Sequence, residues 1–105
     1  MSVLREWLKN TYKVNELGFL KTRPRIVCKD GFSMSVQAGF YLYSTPRADI
    51  RSGNYEEVEI GFPSEKEDLI CEYAECSGDY TETVYPYVPV EIVEQVIEKH
   101  GGMVE

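Results

Sequence analysis

The stretch RIVCKDGFSMSVQAGFYLYS, Arg25–Ser44, decides the fold. Two apolar-alternating runs flank Lys29–Asp30–Gly31, and the length of the loop between them sets which side chains face inward. A two-residue Asp30–Gly31 loop pairs Lys29 with Phe32 and Arg25 with Val36, setting charge against hydrocarbon. A three-residue loop instead pairs Cys28 with Phe32 and Ile26 with Met34, and puts Gly31 in the left-handed position of a type I turn with a bulge. A slip of one residue reverses every face, so the three-residue loop is expected. The second strand then runs on in period two. Phe32, Met34, Val36, Ala38, Phe40 and Leu42 form a core face; Ser33, Ser35, Gln37, Gly39, Tyr41 and Tyr43 form the other, with a tyrosine pair at its far end.

Downstream, YEEVEIGF repeats the alternation, with Val58, Ile60 and Phe62 inward and Glu57 and Glu59 outward. The intervening STPRADIRSGN, Ser44–Asn54, therefore reads as the tip of a longer hairpin, with Pro46 and Ser52-Gly53-Asn54 supplying the turn chemistry. Upstream, Ser2 can cap a helix carrying Leu4, Trp7, Leu8 and Tyr12 on one face. Asn15–Arg25 is a connector, because Pro24 disfavours a helical residue before it.

Three elements follow. Ser64–Glu75 opens with the capping-box pair Ser64 and Glu67 and carries the stripe Leu69, Ile70, Tyr73 and Ala74, which predicts a helix. Thr81–Pro89 predicts a short strand, at an edge or bulged because Pro86 offers no ladder donor. Pro89–Gly102 predicts a helix with Val93, Val96, Ile97 and His100 on one face, Glu91, Glu94 and Glu98 outward, and Gly101 as its left-handed stop. The order α-β-β-β-α-β-α in 105 residues predicts a single α+β domain over 1–105, a mostly antiparallel sheet packed by helices.

The net charge of −7 hides an asymmetry. Residues 1–54 hold nine Lys/Arg and four Asp/Glu, a balance of +5, whereas residues 55–105 hold two and fourteen, a balance of −12. Opposite halves of one domain can neutralise each other; otherwise the split points to a charged partner. No run approaches the roughly 18 apolar residues of a membrane span, so no membrane partner is expected. Charges interrupt the apolar pattern of MSVLREWLKN, unlike the core of a signal peptide, so a cytoplasmic location is expected.

Catalytic motifs are absent: there is no GxGxxG, no P-loop and no nucleophile elbow. Cys28, Cys71 and Cys76 form no CxxC pair and read as buried thiols. His100 sits where a helix dipole favours a cation, which suits a helix-end role. The expectation is a protein that is not an enzyme and carries neither cofactor nor metal, with a cysteine-dependent enzyme as the alternative.

Two surfaces are candidates for a partner. The basic loop offers Arg47 and Arg51 with Tyr41 and Tyr43 nearby, a combination that suits carboxylate, phosphate or stacked bases. The acidic half offers Glu57, Glu59, Glu65, Asp68, Glu72 and Glu75, which on one face would dock into a basic groove. A protein partner is favoured over nucleic acid, because phosphate binding relies on a net basic footprint. A homodimer, basic half against acidic half, accounts for the split without a foreign partner.

The runs RIVCKDGFSMSVQAGFYLYSTPR, YEEVEIGFPS and YPYVPVEIVEQVIEKHGG resemble a family of small, mostly uncharacterised proteins encoded by phages and prophages, over Arg25–Gly102. The resemblance implies a mobile-element accessory protein of the bacterial cytosol, of the kind that inhibits host defence, CRISPR systems included. It assigns no functional residue.

Overall fold

The structure, a computed structural model, describes residues 3–76 and 78–104. Helix α1 spans Val3–Asn10, and strands β1, β2 and β3 span Ile26–Val27, Ser33–Gln37 and Glu57–Gly61. Strand β4, Val84–Pro89, leads directly into α2, Val90–Lys99. The sheet order is β1-β2-β3-β4 with antiparallel neighbours throughout. The expected α+β class and element order hold, except that the middle helix is reduced to one 3-10 turn, Cys71–Tyr73. The Ser2 cap lies outside the described residues.

The decisive hairpin has the three-residue loop. Ile26 pairs with Met34, the Cys28 N–H donates to the Phe32 carbonyl at 2.7 Å, and the Gly31 N–H donates to the Cys28 carbonyl at 2.9 Å. Gly31 has φ +97, the region where glycine alone escapes a steric cost. Met34, Val36, Val58, Ile60, Tyr85 and Val88 bury one face of the sheet, and Leu4 and Leu8 of α1 join Val93, Val96 and Ile97 of α2 in the same core.

Both edges of the sheet are managed. Pro86 lies in the edge strand β4, at a bulge where the partners change from Ile60–Tyr85 to Val58–Val88. At the other edge the C-terminal tail extends β1: Val104 N–H donates to Val27 at 2.7 Å, and Lys29 N–H to Gly102 at 2.9 Å. Gly101, at φ +91, turns the chain out of α2, with Gly102 N–H bonded to Ile97 and Gly101 N–H to Glu98.

Three expectations are corrected. The long alternation of the second strand stops at Gln37, because the Ser44 hydroxyl folds back onto the backbone of Gly39 and Asp49 takes the Phe40 N–H. Phe40 and Phe62, expected in the core, are exposed, the latter at φ +48. The helix over Ser64–Glu75 fails because its capping box is diverted. Ser64 Oγ accepts the Ser33 N–H, and Glu67 turns inward.

Nor is Ser44–Asn54 a free hairpin tip. Thr45 pairs with Glu57, Ser44 is buried, and the buried Tyr55 hydroxyl donates to Ala48 O at 2.6 Å and accepts from Ile50 N–H at 2.8 Å. The loop lies against α1 at Gly53, φ +75, where a Cβ would fall 2.4 Å from the Arg5 carbonyl oxygen and 2.7 Å from the Lys9 nitrogen. Gly53→Ala is therefore expected to destabilise the protein by at least about 2 kcal/mol, from left-handed strain plus a backbone clash. A lowered urea midpoint checks this, and an unchanged one would contradict the close approach.

Candidate functional site

The inward side of the 39–55 segment is fastened, and its outward side carries the aromatic residues. Tyr41 is 78% and Phe40 56% exposed, with their rings edge to face at 4.9 Å. Tyr43 and Tyr87 sit 5.8 Å apart, and the Tyr87 N–H donates to the Tyr43 carbonyl. The Arg47 guanidinium lies 5.5 Å from the Tyr43 ring centroid, and that of Arg51 5.6 Å from Tyr12, which is beyond the end of α1. Arg47, Arg51, Tyr41 and Tyr43 are thus all at the surface, though the two arginines rest on different tyrosines. A cleft of about 180 Å³ opens between residues 19–22 and 39–42, lined by Phe19, Leu20, Phe40, Tyr41, Leu42 and Asp49 among others.

The acidic candidates divide into two groups. Glu57 and Glu59 lie at the Pro89 end of the β3–β4 ladder, where Glu57 accepts the Thr45 hydroxyl proton at 2.6 Å and Glu59 the Tyr43 N–H at 3.2 Å. These two carboxylates hold the loop. Glu65, Asp68, Glu72 and Glu75 are exposed on the connection to β4, whose Glu75 N–H reaches Val84 at the opposite end of that ladder.

A cluster that sequence reasoning did not assemble lies at the C-terminal end of α2. His100 is buried, with Nδ1 2.5 Å from Asp30 Oδ2 and Nε2 2.8 Å from Glu67 Oε1. Its ring stacks on Phe32 at 4.2 Å. Glu67, 1% exposed, also receives Lys99 Nζ at 2.9 Å and the Leu69 N–H at 2.8 Å. A carboxylate oxygen beside each ring nitrogen requires a donor on both, which is the imidazolium form. Burial alone would push the His100 pKa down, but hydrogen bonds to Asp30 and Glu67 reverse this and raise it. Burial likewise opposes ionised Glu67, and bonds from Leu69, Lys99 and His100 overcome it, holding the carboxyl below its usual range. Asp30 is lowered by the Phe32 N–H and by His100. The only sequence signal was that the single histidine shared the apolar face of α2.

Arg23, which belongs to the basic half by sequence, is buried and structural. Its guanidinium donates to Ala38 O at 2.8 Å, Leu8 O at 3.2 Å and Thr11 Oγ1 at 3.0 Å, closing the negative end of α1. Cys28 is buried and its thiol is pushed up, by burial and then by Asp30; Cys71 donates to the Glu67 carbonyl, and Cys76 is exposed. Among the described residues no three His, Cys, Asp or Glu side chains are placed to hold a metal, and no helix is long and apolar enough to cross a membrane. No protein-family model, curated protein or solved structure matches the chain.

The cluster fixes the pH response. The raised His100 pKa contributes stability that is full below its ordinary 6.5 and lost as pH rises through the raised value. The lowered Glu67 and Asp30 contribute stability present above their ordinary 4.5 and 3.8 and lost as pH falls through the lowered values. Urea midpoints should therefore fall from pH 6 to pH 9 in the wild type, and the fall should flatten in His100→Gln. Glu67→Gln should cost about 3 kcal/mol at pH 6, since it leaves a buried cation short of its charge partner. Equal pH profiles for wild type and His100→Gln would refute the imidazolium clamp.

Proposed function

We propose that this chain is a non-enzymatic binding protein that holds a partner protein on the face made by Phe40, Tyr41, Tyr43, Tyr87 and Arg47. The observation that carries the reading is two exposed aromatic pairs, Phe40–Tyr41 and Tyr43–Tyr87, on and beside a loop whose other side is locked into the fold. Aromatic residues and arginine are the types enriched at protein interfaces, and preorganised anchors lower the ordering cost of association. Tyr87 adds to this: it stands at φ +54 in the β4 bulge, an uncommon conformation for a residue with a Cβ, and its ring pairs with that of Tyr43. The single histidine is committed to the buried cluster. Both His100 nitrogens are occupied, and its partners are carboxylates rather than a thiol. In the phage setting that the resemblance implies, occupying a host protein is how a chain without catalytic groups inhibits it.

Affinity capture from bacterial lysate tests the proposal, with wild type run beside Tyr41→Ala/Tyr43→Ala. A partner retained by the first and depleted about tenfold or more by the second is expected, since two truncated anchors each cost more than about 1 kcal/mol. Equal retention would overturn it. Tyr87→Gly should keep or raise the urea midpoint, by up to about 1 kcal/mol from relieved backbone strain, while capture falls. A large loss of stability would show that Tyr87 serves packing instead.

A further inference from the structure

The charge split persists in three dimensions. The chain has 18 Asp/Glu against 11 Lys/Arg, yet among the described residues Lys9, Lys13, Lys21, Arg47 and Arg51 make no ion pair. Between Lys/Arg and carboxylates, one bridge joins residues 3–54 to residues 55–104, Arg5 to Glu91 at 3.8 Å. The reverse link, His100 with Asp30, sits in the buried cluster at the other end of the chain. Direct ion pairing between the two halves is therefore sparse among the described residues.

One of the unpaired cations lines the aromatic cleft, and others lie on segments that adjoin it in sequence or backbone pairing. Lys21 lines it directly, and the Lys21 N–H bonds the Lys13 carbonyl at 2.8 Å, which places both lysines on adjoining backbone. Lys13, Lys21 and Thr22 also border a neighbouring depression of about 270 Å³, so the basic surface continues past the cleft. Arg51 covers Tyr12 beside Lys13, and Arg47 covers Tyr43 beside Leu42 and Tyr41. Carboxylates on the same segments are Glu16, Asp49, Glu56, Glu57 and Glu59; Asp49, Glu57 and Glu59 accept from the Phe40 N–H, the Thr45 hydroxyl and the Tyr43 N–H and so hold the loop, while Glu16 and Glu56 are exposed and Asp49 also lines the cleft.

We infer that this face recognises an acidic segment of a protein, one apolar side chain of which fills the cleft between 19–22 and 39–42 while flanking carboxylates meet Lys21, Arg47 and Arg51. The inference rests on the binding role proposed above and adds the chemistry of the partner. Arginine and lysine without internal partners are complementary to carboxylates, and such fields steer encounter as well as fix orientation. Nucleic acid fits less well. Phosphate chains draw their affinity from a continuous basic track, whereas residues 55–105 carry −12.

Fluorescence anisotropy with three labelled probes tests this. The probes are a Glu/Asp peptide containing one central Phe, the same peptide with Lys for each acid, and a single-stranded oligo-dT. The acidic peptide should bind at about 50 mM salt and weaken strongly by about 500 mM, where screening shortens the reach of charge. Binding should fall about tenfold or more in Lys21→Glu/Arg47→Glu, as like charges replace opposite ones, and stay unchanged in Lys66→Glu on the acidic connection. Urea midpoints of each variant confirm the fold. No binding of the acidic peptide, equal binding of the basic one, tighter binding of oligo-dT, or indifference to the charge reversal would overturn the inference. Lysate capture separates the two proposals: loss in Tyr41→Ala/Tyr43→Ala with full retention in Lys21→Glu/Arg47→Glu keeps the binding role and rejects the acidic partner.

Discussion

The buried Glu67 carboxylate determines more of this structure than any other polar group. An ionised carboxyl out of water costs several kcal/mol unless every lone pair finds a donor. Here Lys99, His100 and the Leu69 N–H supply them. Because those donors lie at the end of α2 and on its own strand of chain, Glu67 cannot reach back to cap a helix at Ser64. The connection between β3 and β4 is therefore drawn across the bottom of the fold as turns, and Ile70 is carried into the core with it. His100 passes the constraint on to Asp30 in the β1–β2 turn, and the Asp30 N–H returns a bond to the His100 carbonyl. One imidazolium thus ties hairpin, helix end and connection together, and the tail that extends β1 begins immediately after it.

At the other end of the molecule the logic is reversed: polar groups hold a loop so that apolar ones can face water. Ser44, Thr45, Tyr55 and Gly53 fix the inner side of the β2–β3 connection against β3 and α1. Phe40 and Tyr41 are left outside, although their burial would have been favourable by roughly 1.5–3 kcal/mol for a ring of this kind.

What could be read from the sequence was what local chemistry decides. The Lys29–Asp30–Gly31 loop, the proline at the β4 bulge and the glycine stop of α2 each depend on a few adjacent residues, and each appears in the structure. The errors share one cause, competition from distant partners. Period-two alternation continues through Leu42, but the ladder ends at Gln37 because Ser44 and Asp49 take up the next backbone groups. Ser64 and Glu67 have capping-box spacing, yet Ser33 and His100 claim them. Arg23 belonged to a basic surface by composition and to a helix terminus by contact. Arg47 and Arg51 were legible at the surface from loop position and residue type, whereas Tyr41 and Tyr43 were expected on the outer face of a strand that in the structure has ended at Gln37.

Charge summed along the chain could not reveal whether the two halves neutralise each other, since pairing is a property of distance. Among the described residues, Arg5 and Glu91 bridge them at 3.8 Å, and Lys9, Lys13, Lys21, Arg47 and Arg51 make no ion pair. The exposed acids Glu65, Asp68, Glu72 and Glu75 lie on the connection that meets the Gly61–Val84 end of the ladder, and Lys21 lines the cleft beside the loop that follows β2. On the reading proposed above, such a layout would steer an acidic partner before contact, repelling it from the acidic connection and drawing it to the cations.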